Sequence, residues 1–213
     1  MTRREFLAYA AAATMPLDLR LPSPPPAPTN CRCLVLPVPG ECSLVESLNG
    51  YRSALAAQGW AGRETWIVPA VLDIPSRIAG MMVEALKRGT TVIVESGAGF
   101  AGHLHFRRHR RALRELLHVD VQAPVDLWSD HPRTRGIPYV EYSWPYRTKV
   151  RDFSRVVPVA DRGDVIAWVD GLPVGLRRRC GQGTLIYLGS PLGPALWAGD
   201  AEAKRWLLSH GFQ

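Results

Sequence analysis

Apolar residues recur along most of the chain with strand-like and helix-like spacing in alternation. Short aliphatic and β-branched runs predict buried strands, and stretches with apolar residues three and four positions apart predict helices that pack on a sheet. The predicted strands cover residues 34–38, 65–68, 90–94 and 184–188. Since strands alternate with helices, the pattern predicts an α/β fold with a three-layer α/β/α, doubly wound, mostly parallel sheet.

The predicted helices differ in the faces they present. The first follows a capping-box pattern, SLVE at 43–46, and its predicted apolar stripe contains Leu48, Tyr51 and Leu55. The second begins near Asp73, which is positioned to cap it, and ends at Gly89. A later helix carries four arginines on one face and apolar residues on the other: Arg107, Arg110, Arg111 and Arg114, opposite Phe106, His109, Leu113, Leu116 and Leu117.

The last third of the chain has a different character. Residues 124–158 are rich in proline and aromatic residues and show no clear period. Beyond them, two apolar runs at 165–169 and 172–176 flank an Asp-Gly pair, which predicts a β-hairpin. With this C-terminal hairpin, the expected arrangement is flavodoxin-like, and a closing helix is expected from Asp200 to Ser209.

The N-terminal residues have the features of an export signal. Residues 2–7 read TRREFL, which matches the twin-arginine pattern, and an alanine-rich apolar stretch follows from Ala8 to Ala13. The proline-rich segment 22–28 then predicts an extended linker. We therefore expect a twin-arginine signal and linker at 1–30, one domain at 31–213, and a periplasmic or secreted location. A cytosolic protein with a chance Arg-Arg pair is the alternative.

Composition and charge narrow the class of protein. The chain has 46% hydrophobic and 21% charged residues, which is typical of a folded domain, and its formal net charge is +7. No apolar run reaches the roughly 20 residues of a membrane-spanning helix, so no stable span is expected. Much of the positive charge lies at 107–111 and 177–179. Because stacking aromatics do not interleave with the first run, we interpret it as a solvated helix face and expect no nucleic-acid partner.

Histidines and cysteines give weak indications of metal or redox chemistry. His103 and His105 are two positions apart, and no acidic residue follows at metal-ligand spacing. We therefore expect neither a metal nor a cofactor. An exported chain could pair its four cysteines, with a bridge to Cys180 as one option, but buried free thiols fit the sequence equally well.

Two segments carry a resemblance to a known family. Residues 85–94, ALKRGTTVIV, run from a helix through glycine into a strand, and residues 169–190 read as a hairpin whose basic, glycine-containing turn leads into a final core strand. Together they resemble the class I glutamine amidotransferase-like superfamily, nearest to divergent members such as the trimerisation domains of some β-galactosidases and the ThuA-like proteins. The resemblance implies this family's scaffold from residue 33 onward.

The resemblance also implies that glutaminase chemistry is missing. Catalytic members of the family carry a cysteine on the strand-to-helix elbow and a His-x-Glu near the last core strand. Here the elbow holds Ser96, and no His-x-Glu follows Leu188. The implied activity is therefore binding of a small polar molecule or a protein partner, and the chain is a possible homo-oligomer.

Ser96 is nevertheless the candidate nucleophile of a second hypothesis. A serine on a sharp strand-to-helix turn can act in a hydrolase if a histidine lies within hydrogen-bond reach. We name His103 as the candidate base, with His105 and His131 as alternatives, and Glu41 or Glu95 in support. Alternatively, Ser96 caps the following helix while the adjacent glycines shape the turn.

Candidate ligand-binding residues follow from where open α/β sheets bind ligands, at the carboxyl ends of the strands. The glycine bend after Val94 should then present its amide groups to an open crevice, where a helix start favours anions. Aromatic residues of the 124–158 segment could line the same cleft. The candidate ligand-binding residues are Gly40, Glu95, Gly97, Gly99, Arg107 and Trp144.

Overall fold

The structure, a computed structural model, describes residues 33–36, 44–56, 64–100, 102–127, 138–152, 155–160 and 164–210. The expected signal and linker, as well as Gly40, Glu41, Trp128 and His131, lie outside the described residues. The strands are β1 (Cys33–Val35), β2 (Thr65–Val71), β3 (Thr91–Ser96), β4 (Tyr139–Tyr142), β5 (Thr148–Arg151), β6 (Asp164–Val169), β7 (Leu172–Cys180) and β8 (Gly183–Leu188). The helices are α1 (Val45–Ala56), α2 (Ser76–Lys87), α3 (His103–Leu116), α4 (Gly193–Trp197) and α5 (Ala201–Ser209).

All eight described strands form one mixed sheet, in the order β1-β2-β3-β8-β7-β6-β4-β5. The neighbours β1–β2, β2–β3 and β3–β8 pair parallel. The neighbours β8–β7, β7–β6, β6–β4 and β4–β5 pair antiparallel. The sheet curls into a half-barrel. The predicted mostly parallel, flavodoxin-like three-layer fold is therefore wrong, since only the half that contains β1, β2, β3 and β8 follows that pattern.

The antiparallel half arises from three hairpins, β4–β5, β6–β7 and β7–β8. Asp170 and Gly171 have φ values of 47° and 79°, so the predicted tight turn reverses the chain between β6 and β7. Segment 139–151 adds the β4–β5 hairpin at the far edge, where the sequence predicts no strands. These strands extend the sheet in the antiparallel sense and replace the further parallel units that a doubly wound fold would need.

Two groups of buried residues cover the two faces of the sheet. Helices α2 and α3 pack on one face, where their apolar side chains contact residues such as Val92 and Leu185. Helices α1, α4 and α5 pack on the other face against Ile93, Ile186 and their neighbours. The alternation of Val92 and Ile93 between the faces follows from the two-residue period of a strand.

Tyr51, as predicted, and three small residues rather than leucines form the buried stripe of α1. Its buried residues are Ser47, Gly50, Tyr51 and Ala54, whereas Leu48 and Leu55 of the predicted stripe are only half-buried. A Cβ atom built on Gly50 would lie 2.1 Å from the carbonyl oxygen of Gly193. The missing side chain therefore allows α1 and α4 to approach at backbone distance.

One predicted helix cap differs from the observed one. Helix α2 begins at Ser76 with Pro75 as its N-cap, so the predicted cap at Asp73 is wrong. The predicted closing helix is confirmed as α5, and Asp200 caps it, because its carboxylate accepts hydrogen bonds from the amides of Glu202 and Ala203 at 2.9 and 3.0 Å. Among the described helices, none has the length and apolar character needed to cross a bilayer.

Candidate functional site

Ser96 lies at the carboxyl end of β3 and contacts a histidine. Its Oγ is 3.0 Å from Nε2 of His109, which projects from α3 toward the sheet. The same Oγ accepts a hydrogen bond from the amide of Ala98 at 3.2 Å. Ser96 and His109 are both fully buried. The geometry thus contains a serine–histidine pair, but a substrate cannot reach it in this conformation.

The histidine beside Ser96 is His109 and not the predicted base, His103. His103 is the first residue of α3 and is exposed to solvent. The sequence places His109 on the apolar face of its helix, which is confirmed, but it does not reveal the contact with Ser96. Nδ1 of His109 has no hydrogen-bond partner among the described residues, so no third group orients the ring as in a catalytic triad.

Burial of His109 should make the protein sensitive to acid. Burial lowers the pKa of His109 from 6.5 to about 4, and that of His210 to about 3. The unfolded chain therefore binds a proton at each histidine near pH 6.5, whereas the folded chain does not until the pH is far lower. We expect the free energy of unfolding to fall as the pH drops from about 6.5 to 4.

The His109→Gln variant isolates the contribution of His109, because glutamine can still reach Ser96 but does not titrate. Its free energy of unfolding, measured by urea denaturation between pH 4.5 and 7.5, should show a slope smaller by up to one proton. His103→Gln, at an exposed position, is the control and should leave the slope unchanged. Equal slopes in wild type and His109→Gln would contradict the assignment.

Glu95, the residue before Ser96, is a fully buried carboxylate held by hydrogen bonds from three parts of the chain. Burial raises its pKa above the ordinary value, and the hydrogen bonds oppose that rise. The donors to its Oε1 and Oε2 are Ser47 Oγ at 2.5 Å, the hydroxyl of Tyr51, and the amides of Ala70 at 3.2 Å, Leu192 at 2.7 Å and Gly193 at 3.0 Å. Glu95 thus joins α1, β2 and the start of α4 to the end of β3.

The glycine bend after Ser96 is packed against backbone. A Cβ on Gly97 would lie 2.3 Å from the carbonyl oxygen of Ala70, and one on Gly99 would lie 2.4 Å from that of Arg155. The Gly97 amide donates to the Val71 oxygen at 2.8 Å. Within the described residues, the bend therefore does not face an open crevice, and its glycines serve close backbone contacts. Gly40 and Glu41, which the sequence assigns to the same rim, lie outside them.

Arg107 lies on the exposed face of α3, as predicted. It lines a surface depression of about 630 Å³ together with Leu104, Arg108, Arg110, Arg111, Arg114 and Glu115. All of these residues belong to α3. Since no second element contributes within the described part of the chain, this depression is a solvated helix face and not a concave site.

Ser96 lies where β3 ends, whereas Trp144 lies at the other end of the parallel strands, where they begin. There it lines a pocket of about 550 Å³. We call this site the arginine–tryptophan pocket, and its lining residues are Thr91, Trp144, Asp164, Arg177, Arg179, Thr184 and His210. They come from β3, β6, β7, β8, the segment after β4 and the end of α5, so several elements converge on one concavity.

Strand β7 divides its three consecutive arginines between the two faces of the sheet. Arg177 and Arg179 line the arginine–tryptophan pocket, whereas Arg178, on the other face, donates to the carbonyl oxygen of His118. The guanidinium of Arg177 lies over the Trp144 ring, 4.7 Å from its centroid, and 3.7 Å from the Asp164 carboxylate. Among the described residues, Arg179 makes no ion pair and is exposed.

Aromatic rings form the floor beside these arginines. The His210 ring lies 4.9 Å from the Trp144 ring and 4.3 Å, edge to face, from that of Trp206. The Trp206 indole N–H donates to the Trp144 carbonyl oxygen at 2.8 Å, which fixes the backbone of the pocket wall. His210 is almost completely buried, and its Nε2 has no hydrogen-bond partner among the described residues.

Sequence reasoning missed most of this pocket. It selected Trp144 as a ligand-binding residue but expected it at the carboxyl ends of the parallel strands. The alternation along β7 is the signal that could have identified Arg177 and Arg179, because residues two apart in a strand share a face. His210 has no such signal, since it follows the last helix. In the described residues no group of three histidine, cysteine or acidic residues is positioned to hold a metal, and Cys33 and Cys180 are free thiols.

The fold of this chain is similar to parts of solved glycosidase structures. No protein-family model and no curated protein matches the sequence. A solved exo-β-1,4-mannosidase from Opitutaceae bacterium strain TAV5 matches with a TM-score of 0.53 and 11% identity, over 84% of this chain and 34% of that one. A β-galactosidase from Bacillus circulans sp. alkalophilus matches with a TM-score of 0.51 and 15% identity, over 81% and 30%.

A further β-galactosidase, from Rahnella sp. R3, has a TM-score of 0.51 and 11% identity, over 82% of this chain and 31% of that one. The chain thus spans about a third of the length of these enzymes. At such identities the likeness shows the fold alone. The expected similarity to a β-galactosidase domain is therefore confirmed at the level of fold, and the link to amidotransferase-like proteins stays a prediction.

Proposed function

We propose that this chain is an exported domain that binds a small polar ligand in the arginine–tryptophan pocket, without glutaminase or hydrolase chemistry of its own. The observation that carries the proposal is the convergence of Arg177 and Arg179 from β7 with Trp144 from the segment after β4 on one concavity of about 550 Å³. That volume lies within the range of small-molecule sites, about 300–1,000 Å³. The TRREFL motif at 2–7 supports the proposed export.

The arginine–tryptophan pocket fits a ligand better than the bend at Ser96 does, because its polar groups are available. Around the bend, the Gly97 amide and the Glu95 carboxylate already bind other parts of the protein. In the arginine–tryptophan pocket, Arg179 is exposed, and no described residue forms an ion pair with it. Polar groups of this kind gain most from a bound molecule that completes their hydrogen bonds.

A ligand that binds this pocket should raise the melting temperature of the full chain. A panel of neutral monosaccharides, sugar acids, sugar phosphates and amino acids is tested by thermal denaturation, and at least one class should stabilise the protein by about 2–3 kcal/mol at a hundredfold excess over Kd. Thr184→Trp, which fills the pocket from β8, should abolish the stabilisation. Glu115→Trp, on the exposed face of α3, is the control and should retain it.

A serine hydrolase is the second candidate, and the 3.0 Å distance between Ser96 Oγ and His109 Nε2 favours it. His109 would act as the base, in the place predicted for His103. The predicted support from Glu95 is wrong, because Ser47, Tyr51 and three backbone amides already bind its carboxylate, and Glu41 lies outside the described residues. Because Ser96 is buried, we expect a fluorophosphonate probe to leave the folded protein unlabelled. Labelling that disappears in Ser96→Ala and persists in His103→Ala would favour the hydrolase over the binding domain.

Kinship with divergent amidotransferase-like proteins is part of the same proposal. Ser96 at the position of the family's catalytic cysteine supports a member without glutaminase activity. The fold likeness to β-galactosidase regions is consistent with a trimerisation-type domain, and a protein partner or homo-oligomer stays a prediction for this chain.

A further inference from the structure

We infer that the arginine–tryptophan pocket recognises an oxyanion carried on a sugar-sized polar molecule, as in a phosphorylated or carboxylated monosaccharide. This inference rests on the proposed function and specifies its ligand class. It depends on three observations: the charge balance of the pocket, the arrangement of its hydrogen-bond donors, and the size of the cavity beside a neutral histidine.

Among the described residues that line the pocket, the charged ones are Arg177, Arg179 and Asp164, and together they leave a net positive charge. Asp164 already faces Arg177 across the β6–β7 pair, at 3.7 Å. Arg179, two residues further along β7, lines the same pocket, and no described carboxylate pairs with it. An incoming anion therefore meets one guanidinium that is held in place and one that is available.

The donors suit the planar or tetrahedral shape of an oxyanion. Guanidinium groups bind carboxylates and phosphates through two parallel N–H donors. The Trp144 ring beneath Arg177 restricts that guanidinium, which reduces the entropy lost on binding. Thr91 and Thr184, at the starts of β3 and β8, add hydroxyl groups to the lining. An anion in the pocket can thus be held by groups from three strands.

The size of the pocket and the neutral His210 in its lining indicate that the ligand is more than a bare ion. His210 lines the pocket, is 8% exposed, and its Nε2 has no hydrogen-bond partner among the described residues. Burial holds its pKa near 3, so the ring is neutral at physiological pH and adds no charge to the pocket. A cavity of about 550 Å³ that extends from two arginines past a neutral ring has room for a hydroxylated body that carries the anion.

Isothermal titration calorimetry of the full chain with glucose 6-phosphate, glucuronate and glucose tests this inference. We expect the two anions to bind at least tenfold more tightly than glucose, since a charge-assisted hydrogen bond has an effect of that size. Arg179→Gln, at an exposed position that should not disturb folding, should weaken both anions about tenfold. Arg114→Gln removes the same charge from the face of α3 and should leave both affinities unchanged.

The outcomes separate this inference from the proposed function. If glucose binds as tightly as the anions and Thr184→Trp abolishes its binding, the pocket is a ligand site but the oxyanion inference is overturned. If Arg114→Gln weakens the anions as much as Arg179→Gln does, the anion lies on α3 and the inference is also wrong. If none of the three compounds binds, the oxyanion inference fails, and the wider ligand panel then decides the proposed function. Phosphate and carboxylate are distinguished by which of the two anions Arg179→Gln affects more.

Discussion

Replacing Glu95 with alanine is expected to lower the free energy of unfolding by more than about 3 kcal/mol, the largest effect we expect from one substitution. The carboxylate accepts hydrogen bonds from Ser47, Tyr51 and three backbone amides, and all of them are buried. Each buried donor that loses its acceptor costs about 1–3 kcal/mol. The amides of Ala70, Leu192 and Gly193 belong to the backbone and cannot turn toward solvent.

The Glu95→Gln variant tests the same point with nearly unchanged volume. Whichever way the new amide turns, its NH₂ group meets a backbone N–H, from Ala70 on one side or from Leu192 and Gly193 on the other. We expect a loss of about 1–3 kcal/mol in urea denaturation. Glu115→Ala, which removes an exposed carboxylate on α3, should cost less than about 1 kcal/mol. Equal losses at Glu95 and Glu115 would show that Glu95 does not hold these elements together.

Replacing Gly50 with alanine is expected to destabilise the protein by about 1–3 kcal/mol or more, because the added methyl group has no space. Its Cβ would lie 2.1 Å from the Gly193 oxygen and 2.9 Å from the Trp197 nitrogen. Both atoms belong to the backbone of α4, so the two helices would have to move apart. That movement would also stretch the contacts of Glu95 with α1 and α4.

Gly80 gives a matched control, since it also lies inside a helix. Nothing lies within 4 Å of a Cβ built there, and the residue is exposed on α2. Gly80→Ala should therefore stabilise the protein by about 0.5–1 kcal/mol, because alanine loses less backbone entropy than glycine on folding. Urea denaturation of both variants should give changes of opposite sign. A stabilised Gly50→Ala protein would contradict the close approach of α1 and α4.

The sequence predicted those strands whose hydrophobic pattern matches their burial in the sheet. Strands β2, β3 and β8 are buried on both faces, so their aliphatic runs identify them. The Asp170-Gly171 turn was equally predictable from its residue types. Strands β4 and β5 were missed, because each has only four residues and a period of two cannot be recognised over such a length.

The candidate site was harder to predict because its contacts join distant parts of the chain. Ser47 and Leu192, which both bind Glu95, are 48 and 97 residues away from it. No local pattern encodes such a contact. Residue type alone selected Trp144, and helical spacing correctly placed His109 on a buried face. Only the sheet order brings Trp144 beside Arg177.

The central claim, that a ligand binds in the arginine–tryptophan pocket, is tested most directly by the indole N–H resonances in ¹⁵N NMR spectra. Trp144 lines the pocket, and the Trp206 indole donates to its carbonyl oxygen. The Trp66 indole bonds Glu64 on the other face of the sheet and serves as an internal reference. During titration with glucose 6-phosphate, the Trp144 and Trp206 resonances should shift in a saturable manner while Trp66 stays fixed. Binding that shifts Trp66 and leaves Trp144 and Trp206 unchanged would contradict the account.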